Sequence, residues 1–150
     1  MFHQDKNVLF TRQKVNFTEF LERDINAGFS GGEIKRSELL QLMAQNADLL
    51  LFDEPESGVD LENISLVGTT INELLQRDFK INSKKSRKEL HEGRTKMGLI
   101  ITHTGFILDY LTADKGQMLF DGRLTCSSNP REIFQCISEV GYEECIRCTF

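Results

Sequence analysis

Three short groups of residues carry side chains that could do chemistry. The first is Ser30-Gly31-Gly32-Glu33. Glycines opening a helix let an anion approach the backbone N–H groups, and the helix N-terminus adds partial positive charge, so the outline is that of a phosphate seat. The same residues also read as an ordinary S-x-x-E capping box, in which Ser30 and Glu33 satisfy each other's orphan N–H groups. The second group is Asp53-Glu54, two acids directly behind Leu49-Leu50-Leu51-Phe52. A carboxylate at a strand tip can hold Mg²⁺, which keeps several waters and takes few protein carboxylates. Its neighbour, pointing elsewhere, can orient and deprotonate an attacking water. Taken alone, the hexapeptide is more simply a surface acid pair ending a strand. The third is His103, just past Gly98-Leu99-Ile100-Ile101. An imidazole there could donate to a phosphate oxygen or to an attacking water, although a lone histidine at a strand end is more often structural.

These groups need elements to position them. Behind the capping box, Ile34, Leu39, Leu42, Met43 and Ala47 predict one apolar face of a helix reaching about Asn46. Leu49 to Phe52 reads as a strand buried on both faces, because it is apolar throughout. Ile64, Val67, Ile71, Leu74 and Leu75 give helical spacing for about four turns after Asp60. Gly98 to Ile101 is a second buried strand, and Phe106 to Leu111 begins another helix. Asp121-Gly122 between two strand-like runs signals a hairpin. Asn129-Pro130-Arg131-Glu132 then supplies an N-cap, an N1 proline and an N3 acid for a last helix. Upstream, a short helix is expected over Phe17 to Arg23, before a turn at Asn26-Ala27-Gly28. Strand, helix, strand, helix and hairpin make an α/β layer architecture with at least one parallel crossover. Residues 77–96 break the pattern with eight Lys/Arg against three Asp/Glu, and read as a solvated basic insertion rather than a binding patch.

Composition narrows the classes. The chain has 150 residues, 39% hydrophobic and 27% charged, which fits one folded core and excludes collagen-like and wholly disordered readings. A formal net charge of -5 argues against a nucleic-acid footprint. No apolar run approaches the roughly 20 residues of a membrane span, so direct membrane insertion is not expected. No charged-then-apolar leader follows Met1, and four cysteines in such a chain read as reduced thiols of a cytoplasmic protein. Cys145-Ile146-Arg147-Cys148 has metal-ligand spacing, yet Cys126 and Cys136 do not obviously converge on it, and free thiols are the simpler reading.

Taken in order, Phe29-Ser30-Gly31-Gly32-Glu33, Leu49 to Pro55, Ser57-Gly58-Val59-Asp60 and Thr102-His103 resemble the signature motif, Walker B motif, D-loop and switch histidine of an ABC-type ATPase. Within that superfamily, Asn26 to Glu33 followed by Lys35-Arg36 and Gln41 resembles SufC, the ATPase of iron–sulfur cluster assembly, and the basic segment is similar to an insertion in some archaeal members. Transporter subunits more usually show L-S-G-G-Q and T-S-A-L-D at the corresponding places. The resemblance covers about Asp24 to Gly141.

The resemblance implies a P-loop NTPase fold, ATP and Mg²⁺ as ligands, and a transient homodimer that sandwiches two nucleotides. It implies that Ser30 and Gly32, with Gly31 between them, meet the γ-phosphate held mainly by a partner, that Asp53 holds Mg²⁺ through water, that Glu54 is the general base and that His103 senses the γ-phosphate. Asp60 would couple the two sites at the dimer seam. A SufB/SufD-like scaffold is the implied partner, and a transporter subunit or a non-catalytic interaction module are the rival readings. None of the eleven glycines opens G-x-x-x-x-G-K-[ST], so the phosphate cradle of such a domain is missing here. The expectation is therefore a partial ABC ATPase domain over residues 1–150, with a helical and signature region at 1–46 and the Walker B to C-terminal part at 47–150. Alone, it should be inactive, and with strands left uncovered it should be poorly soluble or partly molten.

Overall fold

The computed structural model describes residues 24, 27–77, 89 and 92–147. The expected helix at Phe17 to Arg23, most of the basic segment and Cys148 lie outside these residues. The described residues form two compact units divided between Tyr110 and Leu111.

In the first unit, α1 (Gly31–Gln45) begins at the N-cap Ser30 and ends at Asn46 in the left-handed region, where the Asn46 N–H donates to the Leu42 carbonyl. The strand β1 (Leu49–Asp53) is followed by α2 (Leu61–Leu74) and then β2 (Met97–Ile101). Leu49 pairs with Met97 and Asp53 with Ile101 in a parallel ladder, as a helical crossover requires. A short 3₁₀ helix, Phe106–Asp109, follows β2. On α2, Ile64, Val67, Gly68 and Ile71 are buried at i, i+3, i+4 and i+7. They share the core with Leu39, Leu50, Phe52, Leu75 and Ile107. Gly98 makes room for this packing, since a Cβ there would stand 2.6 Å from a Leu75 methyl.

Several expectations change. The strands are not buried on both faces: Leu50 and Phe52 are buried, whereas Leu49, Leu51, Met97, Leu99 and Ile101 are each more than half exposed. A continuous apolar run says that both faces avoid water, but burial needs a second layer, and among the described residues only the Leu50–Phe52–Gly98 face has one. On α1, Leu39 is buried with Gly32 and Ser37, while Ile34, Leu42 and Met43 are only half-buried. The helix expected from Phe106 stops after four residues; its N-cap position is Gly105, which has no side chain to cap with.

The basic segment is not wholly solvated either. The Lys96 ammonium donates to the Asn46 and Ala47 carbonyls, both at 2.7 Å, and reaches Asp48 at 3.4 Å, with its side chain only 11% exposed. It thereby neutralises the carbonyl end of α1. Beside it, the Gln76 side chain accepts from the Thr95 N–H at 2.9 Å and donates to the Thr95 hydroxyl at 3.2 Å.

The second unit is the expected hairpin and helix. β3 (Gly116–Phe120) and β4 (Arg123–Ser128) pair antiparallel about Asp121-Gly122, whose φ of 47° and 72° are those of a primed turn. A register shift between Gly116 and Met118 accompanies Cys126 at φ 47°. α3 (Pro130–Arg147) starts with the Asn129 side chain accepting from the Arg131 N–H at 2.9 Å, and it kinks at Gly141. Met118, Ile133 and Cys145 form its core, with Cys126 and Cys136 packed against them.

Candidate active site

The phosphate-seat candidate is built locally. The Ser30 hydroxyl accepts from the Glu33 N–H at 3.4 Å, and the Ser30 N–H donates to Glu33 Oε2 at 2.6 Å, so the capping box is complete. Helical geometry leaves the N–H groups of Gly31 and Gly32 without an intrahelical acceptor, which is what an anion needs. The two glycines differ. A Cβ on Gly32 would meet nothing within 4 Å, whereas a Cβ on Gly31 would lie 2.6 Å from the Gly58 carbonyl oxygen. Gly31 therefore lets the start of α1 pack on the loop after β1.

That loop, Glu54 to Asp60, leaves β1 with Glu54 at φ 46° while its N–H still donates to the Ile101 carbonyl at 2.9 Å. Ser57 N–H donates to the Glu54 carbonyl at 3.0 Å and Val59 N–H to the Glu56 carbonyl at 3.1 Å, folding the loop into turns. Asp60 ends it as the N-cap of α2: its carboxylate accepts from the Asn63 N–H at 2.9 Å and from the Asn63 amide. These bonds, the side-chain amide first and the backbone N–H next, hold the Asp60 carboxyl below its ordinary range.

The structure brings two candidates together. Glu54 Oε1 lies 2.7 Å from His103 Nδ1, at the C-terminal ends of the paired strands. With the proton on Nδ1 the ring donates to the carboxylate, leaving Nε2 to face a ligand. Asp53, the last residue of β1, is exposed and lines a groove of about 280 Å³ with Lys35, Glu38 and Gln41 of α1. Among the described residues no hydrogen bond joins Ser30, Gly32, Asp53 or Asp60 to the Glu54–His103 pair.

Residues that the sequence reading passed over lie directly behind the pair. Glu56 is buried, 6% exposed, and its Oε1 accepts from the hydroxyls of both Thr102 and Thr104, the latter at 2.9 Å. Thr102 in turn accepts from the Gly105 N–H at 2.9 Å. The alternation Thr102-His103-Thr104 was the available signal, since hydroxyls on both sides of the histidine can donate to one acceptor.

The residues suit magnesium nucleotide chemically. Mg²⁺ takes one or two carboxylates and completes its shell with water, and Asp53 is one exposed carboxylate at a strand tip. The open space over Gly32 admits a phosphate oxygen.

No protein-family model matches the chain. Individual proteins do. The chain is 35% identical over 111 residues to a probable ABC transporter ATP-binding protein of Streptococcus pyogenes, a match covering 74% of this chain and 37% of that protein. It is 32% identical over 124 residues to a probable ATP-dependent transporter of Synechocystis sp., covering 83% of this chain and 41% of the relative. It is also 32% identical over 141 residues to vegetative protein 296 of Bacillus subtilis, covering 89% and 47%. The chain thus spans less than half the length of each of these curated relatives. No helix among the described residues is long and apolar enough to cross a membrane. The parallel α/β arrangement and these likenesses together support an ABC-type ATPase family for this chain.

Proposed function

We propose that this chain supplies the signature, Walker B, D-loop and switch-histidine part of a SufC-like ATPase, which hydrolyses ATP between two head-to-tail protomers and drives a SufB/SufD-like scaffold in iron–sulfur cluster assembly. The observation that carries the catalytic part is the 2.7 Å contact between Glu54 and His103 beside Asp53. In this reading Glu54 orients the attacking water and takes its proton, while His103 holds Glu54 in place and presents Nε2 to the γ-phosphate. Ser30, Gly31 and Gly32 seat the γ-phosphate of the nucleotide bound by the other protomer, and Asp60 lies at the seam. Mg²⁺ on Asp53 would neutralise phosphate charge. Phosphoryl transfer needs such positioning and charge neutralisation more than covalent help.

In the protein that carries this chain, Glu54→Gln is expected to lower MgATP turnover by at least about 100-fold, while nucleotide-dependent dimerisation, read by light scattering, persists. An unchanged turnover would remove Glu54 as the base. A second reading has its own support: the names of the Streptococcus pyogenes and Synechocystis relatives favour the nucleotide-binding subunit of a transporter at least as well. Co-purification separates the two, since a transporter half brings apolar spans and an assembly scaffold does not.

A further inference from the structure

We propose that Glu56 is a positioning residue whose buried carboxylate ties the loop after β1 to the loop after β2 and thereby holds Glu54 against His103. The functional consequence rests on the catalytic reading above; the structural claim does not.

The exposed pair cannot hold itself. The side chains of Glu54 and His103 are 40% and 65% exposed, and a contact between side chains that exposed contributes little to its own persistence. Glu54 also sits at φ 46°, a backbone region that a non-glycine residue occupies only when its surroundings impose it. Two bonds flank the site. On the strand side the Glu54 N–H donates to the Ile101 carbonyl, which fixes the start of the loop. On the far side the only buried acid of the two loops is Glu56. Its Oε1 accepts from Thr102 and Thr104, residues 46 and 48 positions later that bracket His103. Moving either loop breaks these bonds and strands a carboxylate in the interior.

The other oxygen makes the arrangement one-sided. Glu56 Oε2 is buried and has no hydrogen-bond partner among the described residues. The hydrogen bonds that the Glu56 carboxylate makes among the described residues go to the two threonines and tie the two loops to each other.

The test uses the whole chain and the histidine side-chain NMR spectrum. The parent should show a downfield Nδ1 proton for His103 that Glu54→Ala abolishes. Glu56→Gln keeps an acceptor oxygen for the threonines and should retain the signal. Glu56→Ala should lose it while resonances of the 116–128 hairpin stay in place. Should Glu56→Ala fail to fold, Thr104→Val decides: it removes one of the two bonds, and the signal should broaden or vanish. Retention of the Nδ1 signal in Glu56→Ala, or in Thr104→Val where the former is unfolded, overturns the proposal, as does a parent spectrum that Glu54→Ala leaves unchanged. If the signal behaves as stated but the protein that carries this chain turns over no ATP, the catalytic reading fails and the positioning role stands.

Discussion

At the scale of the residue, Gly31 and Gly32 look alike in sequence but have different physical duties. Gly31 has the Gly58 carbonyl where its Cβ would be, and Gly32 has open space. Gly31→Ala should therefore force α1 off the loop and destabilise the chain by about 1–3 kcal/mol. Gly32→Ala should leave the unfolding free energy within about 0.5 kcal/mol of the parent's and impair only anion binding. Equal midpoints for the two variants would contradict this division. What is legible at this scale is local: the Ser30–Glu33 box spans four residues, and both of its bonds form as the sequence implies. The acids behind β1 and the histidine behind β2 could be placed near one another because parallel strands put their ends together. The role of Glu56 was not legible, since its partners lie 46 and 48 residues away and an acid in a loop carries no mark of burial.

At the scale of the element, caps decide where helices begin. α2 starts at Asp60, whose carboxyl is held below its ordinary value of 3.8 by the Asn63 side chain and backbone N–H. A carboxyl depressed in the folded state contributes stability that is present above 3.8 and lost as pH falls through the lower folded value. Asp60→Asn keeps a capping oxygen but does not titrate. The drop in urea midpoint between about pH 5 and about pH 3 should accordingly be smaller in the variant than in the parent, and identical drops would count against an acid-sensitive cap. Turn chemistry made the hairpin at Asp121-Gly122 and the start of α3 at Asn129-Pro130 readable in advance. The element after β2 differs from the expectation because Phe106-Ile107-Leu108-Asp109 suits a helix by composition, and only the structure shows that it ends at Asp109 with Ile107 its one buried residue.

At the scale of the whole molecule, the first unit presents one face of its two-stranded sheet to solvent. Leu49, Leu51, Met97, Leu99 and Ile101 are adjacent through the parallel ladder and form a continuous apolar surface. Parallel sheets are otherwise covered on both faces, and an exposed apolar patch promotes association. The chain should self-associate, and Leu51→Lys with Leu99→Lys should raise the concentration at which light scattering appears by about tenfold. The unfolding free energy should stay within about 0.5 kcal/mol of the parent's, because these side chains are already in water. Scattering unchanged by the double substitution would place the association elsewhere. Neither strand's sequence reveals this, because the apolar run is the same whether its second face is covered or bare.

The bonds between Gln76 and Thr95 give the first unit a further property. The end of α2 is clasped to Thr95, two residues before β2, so Gln76, Thr95 and Lys96 help set where the ladder of β1 and β2 begins. The number of residues inside such a closed detour enters the free energy only through its logarithm, about 0.6 kcal/mol for each doubling. Changing the number of residues between Gln76 and Thr95 should therefore cost little while the loops at the opposite end of the strands keep their spacing.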